Sequence, residues 1–379
     1  MARPSMASSP RLAFFIPTLA GGGAERVIIT LANAFARADF PVLLILTSRQ
    51  GPLVDAIGPA VAAVSLDGPS TVRSIPALVR TLRRWQPDVL VSALFGATVA
   101  AYGAVAWLSA RGAPCPQLCA TVHSPLPRND ATGLRATLLA RAARVVLRRT
   151  DTVVAVSESV AQDLTDVVGR PRSHTDVIHN PVDIDAVETA AAASCPHDWL
   201  ATDAPVVVAA GRLHPQKDYP TLLRALRRLR NHQPVRCLIL GRGPERHSIH
   251  KLIRALNLED AVALPGFVDN PYAFMRHSDA FVLSSRTEPF GIVLVEALAC
   301  GTPVVATDAG GPREILTTPD TAYGPLVPPG RPAELAEALD DTLTSPPEPT
   351  QLRRRARAFD VSTIIPQYQA LFARMQPHD

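Results

Sequence analysis

The sequence predicts an α/β protein made of two doubly wound parallel sheets. Short apolar runs alternate with stretches of helical period along the whole chain, and strand–helix–strand order of this kind closes into parallel sheets. A length of 379 residues with 47% hydrophobic content supports two cores. The alternation breaks between about Val187 and Pro205, where an alanine-rich stretch meets Pro196. The expected division is 1–195 for a first domain, 196–358 for a second, and 359–379 for a closing segment.

The first strand is Leu12–Ile16, feeding three glycines, Gly21 to Gly23. Arg3 and Arg11 before that short apolar run superficially resemble a secretory leader, but Pro17 and the glycines suit a strand entering a glycine loop, which leaves Met1 to Pro10 as a disordered tail. Strands follow at Val42–Leu46, Val89–Ser92, Leu118–Val122 and Thr152–Val156. Between the third and fourth, Ala93 to Ala110 carries no charge, yet alanine and glycine dominate it, so a buried helix is expected and not a membrane span. The second series is Val206–Ala209, Cys237–Leu240, Val262–Leu264, Ala280–Leu283 and Val304–Ala306. Phe359 to Met375 reads as the closing helix.

Five scattered cysteines argue against a disulfide framework and for a reduced compartment. Cys115, Cys119 and His123 have helical spacing, but 117–122 reads as a strand and no fourth ligand is indicated, so zinc is not expected. The net charge of +4 is local in origin. Arg128, Arg135, Arg141, Arg144, Arg148 and Arg149 stand against the single Asp130, beside Leu134, Leu138, Ala142 and Val145 or Val146 at helical spacing. That pattern fits a basic amphipathic helix at an anionic surface, and equally an ordinary helix of an arginine-rich protein.

The chemistry concentrates in Glu288-Pro-Phe-Gly-Ile-Val-Leu-Val-Glu296, between two apolar strands. Pro289 and Gly291 suit a strand-to-helix turn, which puts Glu288 in the loop and Glu296 about a turn inside the helix. Backbone N–H groups near Gly291 and Ile292 then face out at a helix N-terminus, where an anion binds. Taken alone, the spacing more often marks a glutamate on a solvated loop and another capping charge on a helix. Lys217 adds weight, since only two of the 38 lysines and arginines are lysine and it follows a predicted strand.

Other motifs are set aside. Asp183-Ile-Asp185 follows Asn180-Pro181 at a predicted helix start, where aspartates cap. Gly21-x-Gly23-x-x-Arg26 lacks the third glycine of a dinucleotide fingerprint, and Leu46-Thr-Ser48 supplies no acid for a ribose. Arg353 to Arg355 with Arg357 has no interleaved aromatic residues, so a solvated helix face is expected and no nucleic acid.

Together with Gly211-Arg212-Leu213, His214-Pro-Gln-Lys-Asp218, Gly241-Arg-Gly-Pro244, Gly266-Phe267, Cys300-Gly-Thr-Pro-Val-Val-Ala306 and Gly310-Gly311, the Glu288–Glu296 segment resembles the retaining family 4 glycosyltransferases of GT-B fold. The first half is thinner: Gly21-Gly-Gly-Ala-Glu-Arg-Val27, His123, Val156-Ser-Glu-Ser-Val160 and Asn180-Pro-Val-Asp183 are similar to the family's loops and strand ends. Gly21–Gly23, His123, Arg212, Gly241, Pro265, Glu288 and Asp308 each follow a predicted strand, the edge where open α/β sheets bind ligands.

The resemblance implies two Rossmann-like domains facing a cleft, with the closing helix crossing back to the first. It further implies transfer of a sugar, with retention and without metal, from a nucleoside diphosphate sugar, a UDP-sugar in preference to a GDP-sugar. Arg212 and Lys217 would stabilise the leaving diphosphate, Gly22 and Gly23 would let backbone approach it, and Gly241, Gly291 and Ile292 would line the same donor site. Glu296 would hold the ribose, Glu288 the transferred sugar, Pro265 and Phe267 the base, and His123 the reaction centre. The acceptor would be a glycan or a polyprenyl-diphosphate-linked glycan, reached at the inner face of a plasma membrane through Arg141, Arg144 and Arg148 by a cytoplasmic, peripheral protein building cell-surface polysaccharide. A GT-B nucleotide-sugar epimerase, or a non-catalytic nucleotide-sugar-binding subunit, would share most of these residues.

Overall fold

The computed structural model describes residues 9–124, 134–195 and 197–375. Residues 1–8 of the expected tail, Arg128 and Asp130 of the basic segment, and Pro196 at the expected domain boundary lie outside the described residues. Two compact units emerge: residues 1–181 with 361–379, and residues 182–360.

The first unit runs β1 (Leu12–Ile16), α1 (Gly23–Arg37), β2 (Val42–Leu46), β3 (Ala62–Ser65), α2 (Ile75–Trp85), β4 (Val89–Ala93), α3 (Phe95–Ser109), β5 (Gln117–Val122), α4 (Leu134–Arg149), β6 (Thr152–Ala155), α5 (Glu158–Asp163) and β7 (Thr175–Val177). All strand pairs are parallel, in the order β3-β2-β1-β4-β5-β6-β7, with Leu12 opposite Val42 on one side and Val89 on the other. The central strands are buried on both faces, which is why they read as unbroken aliphatic runs. Helix α3 presents Ala97, Ala100, Ala101 and Ala104 to Ala13, Phe15 and Leu90, the small side chains allowing close approach to the sheet.

The second unit runs α6 (Ile184–Ala191), β8 (Val206–Ala210), α7 (Tyr219–Leu229), β9 (Arg236–Leu240), α8 (Arg246–Ala255), β10 (Val262–Gly266), α9 (Pro271–Arg276), β11 (Ala280–Leu283), α10 (Ile292–Cys300), β12 (Val304–Thr307), α11 (Gly311–Leu316), β13 (Leu326–Val327), α12 (Pro332–Thr344) and α13 (Pro349–Ala356). Its parallel sheet has the order β10-β9-β8-β11-β12-β13. Helix α7 shows the logic of the layer: Leu222, Leu223, Leu226 and Leu229 are buried, while Arg227 and Arg228 of the opposite face are exposed. Each leucine so buried contributes about 2 kcal/mol. The last helix, α14 (Val361–Met375), belongs to the first unit, where it packs on α1 with Phe372 against Phe35 at 5.6 Å between ring centroids.

Three strands were not expected, β3, β7 and β13. All three are sheet edges of two to four residues, and none is buried along its whole length, so they lack the apolar run that marks a central strand. The unit boundary falls at Pro181/Val182, before the expected 195/196, because Val182 bridges to Asp360 and α6 packs on α9 and α10. The arginines of 353–357 are not a simple solvated face. Arg353 donates to the Cys300 carbonyl at the end of α10, Arg355 donates to the Glu314 and Ile315 carbonyls near the end of α11, and Arg357 pairs with Asp185 and Glu188. Cations at helix C-termini meet the negative end of the helix dipole. Among the described residues no helix is long and apolar enough to cross a membrane.

Candidate active site

In the second unit the chain lays β8, β9 and β10 in one direction and then restarts at β11 on the other side of β8. The carboxyl ends of β8 and β11 therefore flank the topological switch point, where open α/β sheets form their crevice. Lys217 arrives there from the loop after β8 and Glu288 from the loop after β11. The Lys217 ammonium donates to Glu288 Oε2 at 2.5 Å, and the Ser285 hydroxyl donates to the same oxygen at 2.9 Å. Both charged groups are largely buried.

The two loops are stitched together beneath this pair. Ser284 Oγ donates to the Lys217 carbonyl at 2.8 Å, Gln216 Nε2 to the Thr287 carbonyl at 2.8 Å, and Arg286 N to the Gln216 carbonyl at 2.8 Å. On its other side, Glu288 N donates to Ala309 O and Gly311 N to Glu288 O, each at 2.8 Å. Gly311 is required by packing, since a Cβ there would stand 2.3 Å from Phe290 Cα. The side chain of Arg212 is exposed and has no hydrogen-bond or ion-pair partner among the described residues.

Glycine clears the floor of the crevice. Gly241, at φ 139°, lies so close to the β8 exit that a Cβ would meet Gly211 O at 2.0 Å, and one on Gly243 would meet Leu213 O at 2.2 Å. Gly291, at φ 99°, adopts the left-handed conformation that turns the chain into α10. Ile292 opens that helix and Glu296 lies one turn in, buried, where Tyr272 Oη donates to its Oε1 at 3.1 Å. Pro265 corrects the expected strand end: it is inside β10, which runs to Gly266. β10 is the sheet edge, where a residue without an N–H costs no ladder bond, and both Pro265 and Phe267 are exposed.

The first unit has its own switch point between β1 and β4. Gly22 caps α1 and Gly23 begins it, and the Glu25 carboxylate lies over Gly22, in the space a Cβ would take. Leu94, between β4 and α3, is held at φ 71°, a strained conformation for a branched side chain. It lines a cavity of about 10 Å³ with Phe95, Thr98, Thr121, Val122, His123, Ser124 and Leu147. His123 Nε2 lies 2.9 Å from Thr121 Oγ1, and burial lowers its pKa to about 4, against a smaller raising contribution from Asn180. Burial thus favours the neutral imidazole.

On α4 the inner face is Ala143, Val146 and Leu147, and the outer face carries Leu138, Arg141, Val145 and Arg148 within one helical stripe. Leu138 is 55% and Val145 50% exposed, so these two members of the expected apolar stripe face away from the core, while Val146 is buried. Arg144 is half-buried beside it. Asp183 caps α6, accepting from Ala186 N at 3.2 Å, and Asp185 pairs with Arg357.

Tyr272, Ser284 and Ser285 are not among the residues that the sequence predicts for the site. Two successive serines ending an apolar strand are a local signal that was available. Tyr272 gives none, being joined to Glu296 only by the fold.

A family model described as "Glycosyl transferases group 1" matches residues 198–359, and one described as "Glycosyltransferase Family 4" matches residues 21–186. The lipopolysaccharide core biosynthesis glycosyltransferase LpsE of Rhizobium meliloti is 34% identical over 166 residues, 44% of this chain and 46% of that protein. The N-acetylgalactosamine-N,N'-diacetylbacillosaminyl-diphospho-undecaprenol 4-alpha-N-acetylgalactosaminyltransferase of Campylobacter jejuni is 30% identical over 218 residues, 56% and 57% of the two chains. The chain thus spans about half the length of these curated relatives. Anabaena HepE, solved in complex with UDP-glucose, superposes with a TM-score of 0.80 over 96% of this chain and 100% of that one, at 23% identity. That likeness establishes the fold, two Rossmann-like units of the GT-B class.

Proposed function

Because the chain belongs to the family 4, group 1 glycosyltransferases, we propose that it transfers a sugar with retention from a nucleoside diphosphate sugar to a glycan or lipid-linked glycan acceptor. The observation that carries this reading is the Lys217–Glu288 pair at the switch point of the second unit. Lys217 would leave Glu288 for the diphosphate, and the freed carboxylate would accept hydroxyls of the transferred sugar. Glu296 accepts the ribose hydroxyls, with Tyr272 steadying the carboxylate.

As the anomeric C–O bond breaks, negative charge grows on the leaving diphosphate. Arg212, Lys217 and the N–H groups at Gly291 and Ile292 meet that charge, the role a divalent cation fills elsewhere. The acceptor oxygen forms the new bond on the same face, and its proton passes to the departing phosphate oxygen. UDP is the favoured carrier: HepE binds UDP-glucose, and exposed Phe267 offers a surface beside the base. The Campylobacter jejuni relative is named for a diphospho-undecaprenol acceptor, which supports a polyprenyl diphosphate here. The outer stripe of α4 supports peripheral attachment to an anionic membrane.

A thermal-shift screen of nucleotides and nucleotide sugars tests the reading, because a ligand at 100 times its Kd stabilises by about 2.7 kcal/mol. UDP and one or more UDP-sugars are expected to raise Tm. A chain that no nucleotide sugar stabilises, and that releases no UDP with any acceptor extract, does not carry this activity.

A further inference from the structure

The proton inventory around His123 is unbalanced. Thr121 Oγ1 donates its only hydrogen to the Ser92 carbonyl at 3.1 Å, so toward His123 it acts as an acceptor, and the proton of the 2.9 Å contact belongs to Nε2. A neutral ring with Nε2–H has a bare lone pair on Nδ1. That atom is buried and has no hydrogen-bond partner. A second orphan stands in the same unit, the buried Oδ1 of Asn180, whose residue is only 4% exposed. The Asn180 amide lies against the ring, where it biases the titration of His123.

An amide oxygen and an imine nitrogen, both acceptors, do not satisfy each other. An amide turned by 180° exchanges its oxygen for an N–H donor at no steric cost, because the two atoms are nearly isosteric. We infer that Asn180 is the positioning residue for His123, donating Nδ2–H to Nδ1 and so locking the imidazole as its neutral Nε2–H tautomer in one orientation. Thr121 and Asn180 then hold the ring from both nitrogens. The remaining cavity wall, from Leu94, Phe95 and Thr98 on one side to Leu147 on the other, brings no ionisable group to it. The titratable group adjacent to Asn180 in the chain is His179.

The inference rests on the proposed function and on the role that the family resemblance gives His123, a place beside the reacting sugar. A positively charged ring there would oppose the cationic character that the sugar gains as its anomeric bond breaks. Locking the ring neutral removes that opposition at every working pH, whereas histidine at its ordinary value of about 6.5 would be partly charged.

Asn180→Asp replaces the donor by a carboxylate, which favours the imidazolium. In the parent protein, nitrogen NMR of His123 is expected to show one neutral tautomer, Nε2–H, from about pH 5.5 to 9, and a transfer rate free of any His123 titration. In Asn180→Asp, His123 is expected to titrate near roughly pH 6 to 7, and kcat at about pH 6 to fall roughly tenfold relative to pH 8 while the donor Kd holds. Asn180→Ala, checked for an unchanged fold by circular dichroism, is expected to give mixed tautomers and a lower kcat without a new titration. A parent ring carrying its proton on Nδ1, or an Asn180→Asp variant with the parent pH profile and tautomer, overturns the inference. The NMR arm is independent of activity. Tautomers as expected in a protein that transfers no sugar would leave the ring lock standing and remove the proposed function.

Discussion

Lys217 and Glu288 are 71 residues apart in sequence and 2.5 Å apart in space. Each is the group that its own loop brings to the switch point, so under the proposed function donor binding would replace an internal ion pair by two contacts to ligand. Removing one partner leaves a buried charge alone. Lys217→Ala is expected to destabilise the second unit by about 3 kcal/mol and to weaken donor binding. Lys217→Met with Glu288→Gln together should recover much of the stability and none of the transfer. Urea melts of the single and double variants decide this, and additive losses would show that the pair is not coupled.

The proposed function divides the donor between the two glutamates. Glu296→Gln is expected to weaken UDP and UDP-sugar alike by about 1 to 3 kcal/mol, and Tyr272→Phe by about 1 kcal/mol through the loss of its hydrogen bond to Glu296. Glu288→Gln should leave UDP binding near the parent value while transfer falls. Calorimetry with bare UDP separates the cases, and equal losses for both glutamates would contradict the division.

In the proposed function Arg212, Lys217 and the start of α10 supply the positive charge, so turnover is expected to persist in excess chelator. Complete loss that magnesium or manganese restores would assign the leaving-group role to a metal instead.

Helix α4 presents Leu138, Arg141, Val145 and Arg148 outward in one stripe. Each arginine near an anionic surface contributes about 1 kcal/mol, screened by salt. Glutamine at Arg141, Arg144 and Arg148 together should reduce sedimentation with phosphatidylserine vesicles and lower transfer to a lipid-linked acceptor, leaving donor hydrolysis unchanged. Parent protein that stays in the supernatant with such vesicles at low salt would count against the membrane role.

The central strands were legible because burial on both faces leaves a bare aliphatic run, as in Phe14 to Ile16 or Val206 to Val208. Edge strands β3, β7 and β13 lack that constraint. The placement of Glu288 in a loop and of Glu296 one turn inside a helix was legible from local spacing beside strands, but the contact between Lys217 and Glu288 was not, since it depends on strand order. Nothing local in the sequence reveals that Asn180 acts on a ring 57 residues earlier. Nor does it reveal the partners of Arg355, since the carbonyls of Glu314 and Ile315 lie some 40 residues away.

The first unit is discontinuous, and this sets an order of events during synthesis. Residues 182–360 form one uninterrupted stretch whose ends meet at the Val182–Asp360 bridge. That stretch can finish folding as it leaves the ribosome. The first unit cannot, because Phe35 on α1 waits for Phe372 on α14, which is synthesised after the whole second unit. The usual sequence, in which the N-terminal domain completes first, is thereby reversed. Until α14 arrives, the α1 face that receives it is an exposed apolar surface on the nascent chain, the place where a chaperone would bind and where a stop codon before Val361 would do its damage.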